Sequence, residues 1–173
     1  MEYYLLEIPG RPVPKANVYR ARIIKKGPKP YATIYTTAEL ENYEMMVGQI
    51  ASEVIPQTIE GLVSVYVRVY QHGKRWIDID NAFKGILDGI DASKVIKKGK
   101  QSINVCSTGI ENDKYVQLIV GERVHVNFEE EQRVEVIITE YKGLFHLTEV
   151  LKHHYDIGKD YHADLIYPEL KKG

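Results

Sequence analysis

The chain has 173 residues, 44% hydrophobic and 27% charged, with a net charge of −1 and a single cysteine. That size and balance suit one soluble domain with a real core, and no apolar run approaches the roughly 20 residues that a membrane span needs. The lone Cys106 excludes an intramolecular disulfide and a cysteine-based zinc site. The start, "MEYYLLEIPG", lacks a basic n-region and a small-residue cleavage site, so the cytoplasm is the expected compartment.

In chain order, residues 2–8, "EYYLLEI", read as a first strand. Pro9, Pro12, Pro14, Pro28 and Pro30 then forbid a helix, so an extended arm or irregular hairpin is expected, with a brief extended run around Ala32–Tyr35. A helix starts near Thr36, whose spacing to Glu39 is that of a capping box. Leu40, Tyr43, Met46, Val47, Ile50 and Val54 recur at helical period, and Pro56 stops the run. In "LVSVYVRVY", Val63, Val65, Val67 and Val69 alternate with Ser64, Tyr66, Arg68 and Tyr70, which is the pattern of a half-buried strand.

Asn81 to Ile90 reads as a second helix with an apolar stripe of Phe83, Ile86, Leu87 and Ile90. Ala92–Gly109 is polar and suggests a loop or short hairpin. Two further strands, "KYVQLIVGERVHVNF" and "RVEVIITEY", are joined by a turn at Glu129–Gln132. A short amphipathic helix near Leu144, Leu147, Val150 and Leu151 precedes a polar tail. The order predicts an α/β (α+β) fold: one mixed-sheet domain with two main helices over residues 1–141, and a C-terminal helical extension over 142–173.

Charge is unevenly distributed. Arg11, Lys15, Arg20, Arg22, Lys25, Lys26 and Lys29 occur in nineteen residues without an acid, and Lys94, Lys97, Lys98 and Lys100 form a second group. Such a surface suits phosphate, although a solvated loop explains a lone basic run equally well. Trp76 and the tyrosines near the arm (Tyr19, Tyr31 and Tyr35) are candidates for stacking on bases. His153, His154 and His162 with Asp156, Asp160 and Asp164 raise a second metal site, against which a polar surface helix and tail weigh more. Cys106 has no motif around it and reads as structural.

The stretch "RWIDIDNAFKGILDGID", Arg75 to Asp91, carries four aspartates directly after a strand, although strands are poor in Asp. Asp78 and Asp80 are two apart, so an extended segment turns both carboxylates to one face. Asp80 is also placed to cap the helix at Asn81, and Lys84 and Asp88 continue along its side. Three readings compete. Asp80 is a simple cap and Lys84–Asp88 an exposed pair, or the carboxylates hold a hard cation with Lys84 on a phosphate. The third, a nucleotide-sugar site, wants a nucleotide-binding βαβ half that is not visible. Asp113, in "GIENDKYV", would supply a further ligand if its strand lies beside Val63–Tyr70. Asp91 falls outside the pattern and is expected only to end the helix. "ENDK" lacks the acid–x–Lys spacing of a restriction-nuclease core.

These residues resemble the RusA-type Holliday junction resolvases. "YYLLEIPGRPVPKANVYRAR", "YTTAELENYEMMVGQI", "IDIDNAFKGILDGI", "NDKYVQLI" and "RVEVIITEY" match that family's motifs in order across residues 3–141. The resemblance implies a Mg²⁺-dependent endonuclease, with Mn²⁺ an alternative. It would act as a homodimer on four-way DNA junctions by paired symmetric nicks, without a nucleotide cofactor or a membrane. It assigns metal binding to Asp78, Asp80 and Asp113, catalysis to these and Lys84, and support to Asn81 and Asp88. Arg11, Lys15, Arg20, Arg22, Lys25, Lys26 and Arg75 become the candidate DNA contacts. This chain has Asn112-Asp113 where the family often has two acids, and a longer Ala92–Gly109 stretch. The alternative is a non-cleaving DNA-binding protein of the same fold, which the presence of all four of Asp78, Asp80, Lys84 and Asp113 argues against.

Overall fold

The structure, a computed structural model, describes residues 2–14, 19–25, 31–74 and 76–155. Its framework is a four-stranded mixed sheet in which β1 (Tyr4–Pro9), β8 (Arg133–Glu140), β4 (Val63–Gln71) and β7 (Val116–His125) lie side by side in that order. The alternation of valines along β4 sets one face of this sheet. Leu6 of β1 pairs with Val136 of β8, which pairs with Val67, which pairs with Gly121 of β7. Above this row pack α1 (Ala38–Val54) and α2 (Ile79–Ile90), burying Tyr43, Val47, Ala51, Ile86 and Ile90 with the strand residues in one core.

The two helices cross closely because their contact surface is built on glycine. A Cβ at Gly89 of α2 would lie 2.6 Å from Val47 Cβ of α1, and one at Gly48 of α1 would lie 3.0 Å from the Gly89 carbonyl oxygen and 2.0 Å from that of Val105, in the segment that follows residue 104. These atoms belong to backbone or to a β-branched stem, so none can swing aside. Gly121 performs the same service on β7, where Phe83 of α2 covers the missing side chain.

The opposite sheet face buries Tyr66 and Ile137 under Leu147 and Val150 of α3 (Leu144–Tyr155). Beyond that small core the face turns polar. Tyr70 and Tyr155 both donate to Glu135 Oε2 at 2.9 Å, Arg133 donates to its other oxygen at 3.0 Å, and Arg68 lies over the Tyr155 ring at 3.8 Å. His153 and His154, considered above as metal ligands, instead pack their rings against Tyr3, whose hydroxyl is 3.1 Å from His154 Nδ1. His162 and the aspartates of the tail lie outside the described residues.

Two hairpins complete the fold. The proline-rich arm contains the antiparallel pair β2 (Tyr19–Ile24) and β3 (Tyr31–Thr36), with Arg20 opposite Tyr35 and Arg22 opposite Thr33. The stretch after α2 forms β5 (Val95–Lys98) and β6 (Gln101–Asn104). Helix starts differ by a residue or two from the sequence reading. Thr37, not Thr36, caps α1 by accepting from Leu40 N, because either threonine suits a cap and only one follows the extended strand. Asp78, not Asp80, is the cap residue of α2, and its side chain makes no capping bond.

Candidate active site

Asp78 ends the loop that leaves β4, and Asp80 lies in the first turn of α2. The loop is held from both sides at the preceding residue. The Ile77 amide donates to Oε1 of the buried Gln71 at 3.1 Å, and Arg123 of the neighbouring β7 donates to the Ile77 carbonyl at 3.5 Å. Ile77 itself is buried, so it anchors the exposed carboxylate next to it. The helix N-terminus carries unpaired N–H groups and a partial positive charge, which favours both carboxylates and phosphate there.

Asp78, Asp80 and Lys84 are all exposed; the Asp78 carbonyl accepts from Asn81 N and Ala82 N at the helix start, but no side-chain hydrogen bond or ion pair to a described residue engages the three. Lys84 is one helical turn beyond Asp80 and so shares its side of α2. Asn81 is half-buried in the same first turn. Asp88 continues the stripe but is not paired with Lys84. Its carboxylate meets Lys94 at 2.9 Å, and Lys94 reaches the buried Glu44 of α1 at 2.7 Å. That bridge ties α2 to α1 and takes Lys94 out of the exposed basic group, leaving Lys97, Lys98 and Lys100 around the β5–β6 turn.

Asp113 does not join Asp78 and Asp80 within the chain. Its strand does neighbour β4, as expected, but the two run parallel: Val63 pairs with Val116 and Gln71 with His125. A residue just before β7 is therefore level with the start of β4, whereas Asp78 follows its end. Asp113 opens a 3₁₀ turn (Asp113–Tyr115), and its amide donates to Asp91 Oδ2 at 3.4 Å. Asp91 directly follows α2, whose 12 residues span about 18 Å. Among the described residues, no cluster of three or more His, Cys, Asp or Glu is arranged to hold a metal ion.

Asp91 does more than end the helix. Buried to 6% exposure, it accepts from Ser93 N at 2.7 Å and Ser93 Oγ at 2.6 Å as well as from Asp113 N. It is the post on which the Asp113 turn hangs. Asn112 ties down the same turn, donating to Ser93 Oγ at 2.7 Å and accepting from Lys114 N at 3.2 Å. Asn112 thus has a structural task at the position where the related pattern has an acid.

Of the candidate DNA contacts, Arg11 and Lys25 are exposed, and Arg20 and Arg22 occupy β2. Lys15, Lys26 and Arg75 lie outside the described residues. Cys106 is buried. Burial pushes its thiol up, while contacts to Ser52 and the Thr108 carbonyl act in the opposite sense. It is a packed residue, as its lack of a motif suggested. A cavity of about 690 Å³ opens where β4 begins, lined by Glu2, Glu60, Glu140 and His146 among others. It is remote from Asp78 and Asp80, and its acids would repel phosphate.

The order of elements, the carboxylate pair on a helix start and the lysine one turn on all coincide with one family. The model of the endodeoxyribonuclease RusA family matches residues 9–139. The chain belongs to that family. The match runs from the end of β1 to the end of β8 and includes Asp78, Asp80, Lys84 and Asp113. No curated protein sequence matches the chain significantly. The RusA family is one of DNA-cutting enzymes, so DNA is the substrate and phosphodiester hydrolysis the reaction class. No helix among the described residues is long and apolar enough to cross a membrane.

Proposed function

We propose that this chain is a Mg²⁺-dependent endonuclease that resolves four-way DNA junctions by paired symmetric nicks, working as a homodimer. The observation that carries this reading is the pair Asp78–Asp80 on the exposed N-terminus of α2 with Lys84 one turn on, inside the RusA match.

The residues fit the cation. Mg²⁺ is held by one or two carboxylates, keeps part of its water and completes its shell with phosphate oxygens. Asp78 as the cap residue and Asp80 in the first turn put two such hard donors at one helix end rather than on the single face an extended segment would give, and a cation offsets their repulsion of a phosphate. Bound there, the cation would stabilise the charge that develops on the scissile phosphate. Lys84 meets a phosphate oxygen and strengthens that contact in the transition state. The start of α2 contributes N–H groups toward the same anion.

Asp113 bears on the dimer. Because it sits a helix length from Asp80, it can complete the acidic set only from a second copy. A two-fold axis near the middle of α2 would set the first turn of each helix against the far end of the other. Two shared sites would then act on two strands, which suits symmetric nicking.

The test is cleavage of a synthetic four-way junction in Mg²⁺, with Asp80→Asn as control. Wild type is expected to nick two opposed strands and the variant only to bind. If wild type shifts the junction on a gel and never nicks it, the chain is a junction-binding protein of the same fold.

A further inference from the structure

A cleft of about 600 Å³ opens beside the carboxylate pair, lined by Trp76, Ile79, Gly121, Glu122 and Arg123. Its lining includes the residue between Asp78 and Asp80. Its wall is unusual for a surface, since Trp76 is 45% exposed although a large aromatic ring is strongly favoured inside. The Arg123 guanidinium lies 5.2 Å from the Trp76 ring centroid, and the His125 ring is 6.0 Å away at a tilt of 38°. His72 stacks on His125 at 6.4 Å, extending the planar surface. The one acid in the lining is neutralised from the far side: Glu122 is ion-paired to Arg68 and accepts from Tyr66 at 2.5 Å. What remains toward solvent is an aromatic face with cationic character.

We propose that this Trp76–Arg123 shelf seats one unstacked nucleobase of the strand being cut, adjacent to the scissile phosphate. The inference rests on the nuclease reading above and assigns the base-contacting part of that site. Every base offers a π-face, and an exposed indole beside a guanidinium is the kind of platform that holds one without reading its edge. Trp76 is two residues before Asp78, a separation of at most about 7 Å along the chain. A phosphate on the Asp78–Asp80 pair therefore brings the base of its own or the next nucleotide to the shelf. A base at the crossover of a four-way junction stacks across an exchange point where the backbone is discontinuous, so unstacking it costs less than within an intact duplex and the shelf would take it in preference. Arg123 has two tasks: it backs the ring and, through the Ile77 carbonyl, fixes the loop that carries Asp78.

Trp76 is the only tryptophan in the chain, so its emission reports this site alone. The experiment titrates full-length protein with a four-way junction in Ca²⁺ in place of Mg²⁺, following Trp76 emission. In parallel, it follows a 2-aminopurine placed next to the nick site. Binding is expected to quench Trp76 in wild type and in Asp80→Asn, and to change the 2-aminopurine signal. With Trp76→Ala the 2-aminopurine change is lost and junction affinity drops roughly tenfold, the scale of one stacking contact; Trp76→Phe restores most of both. Duplex DNA of the same length should quench less. An unchanged Trp76 emission at saturating junction, or a 2-aminopurine response that persists in Trp76→Ala, overturns the shelf. Neither readout needs cleavage, so an absence of nicking would sink the nuclease reading separately.

Discussion

The amide of Ile77 donates to Oε1 of Gln71 at 3.1 Å, tying the last residue of β4 to the residue that precedes Asp78. Gln71 is 1% exposed, and its own carbonyl accepts from Val126 N at 3.1 Å where β7 ends. A loop carrying an exposed carboxylate is thereby pinned by a buried amide. Gln71→Leu would leave the Ile77 N–H without an acceptor at a cost of about 1–3 kcal/mol. A lower unfolding midpoint is expected, together with a fall in kcat larger than the change in junction affinity. Equal activity in the variant would show that the amide does not position Asp78.

Subunit mixing tests whether the acids are shared. Asp80→Asn and Asp113→Asn homodimers should both be inactive. If each site takes Asp113 from the partner subunit, a mixed dimer of the two variants contains one intact site and one doubly defective site. Recovered nicking of a single strand is the expected result. Mixed dimers that stay inactive would place the required acids in one chain.

The packing of α1 against the segment after residue 104 gives a stability prediction independent of catalysis. Gly48→Ala forces a methyl toward the Val105 carbonyl, 2.0 Å from the ideal Cβ position. Overpacking of this kind costs about 1–3 kcal/mol, and backbone on the receiving side argues for the upper end. Denaturant unfolding should show the loss at an unchanged slope. Gly61→Ala, in open space, is strained only by its positive φ of 82° and makes a useful contrast.

Neutralising Arg20, Arg22, Lys25 and Lys26 tests the arm. Each phosphate contact contributes about −0.9 to the slope of log K against log salt. Removing four is expected to flatten that slope by up to about 3 to 4 units and to weaken binding to all DNA sequences alike. An unchanged slope would make the run a solvated hairpin.

Alkaline stability follows from the polar sheet face. Burial, then the Glu122 and Glu135 carboxylates, push the Tyr66 and Tyr155 phenols well above their ordinary 10.0. A raised folded value favours the protonated form in the native state. The stabilisation is therefore complete below about pH 10 and is lost as pH rises toward the displaced values. Denaturant midpoints should fall above pH 10, and a Tyr66→Phe/Tyr155→Phe variant should fall less steeply.

Much of the fold was legible because it rests on periodicity. The valines of β4 declare its buried face, and Ile86 and Ile90 turn inward from α2 as their spacing requires. The carboxylate pair and Lys84 were legible because they are local. Asp113 was not, since alternation identifies a strand without giving its direction, and only the parallel pairing of β7 sends Asp113 to the far end of α2. The same pairing brings Arg123 to Trp76 and Ile77 from 46 residues away, a contact with no local signal. Asp91 carries no local signal of its task, since in sequence it is one acid beyond the pattern. Its task appears only when the Asp113 turn folds back on it.

A helix of twelve residues is also a gauge. α2 begins beside Asp78 and ends against Asp91, so its length alone fixes how far the first acids stand from the turn that holds Asp113. One inserted residue would lengthen that interval by only about 1.5 Å but would rotate everything beyond it by about 100°. Ile86 and Ile90 would leave the core, or Asp80 and Lys84 would leave their common side. The interval is therefore protected by rotation rather than by distance, and can change only by whole turns.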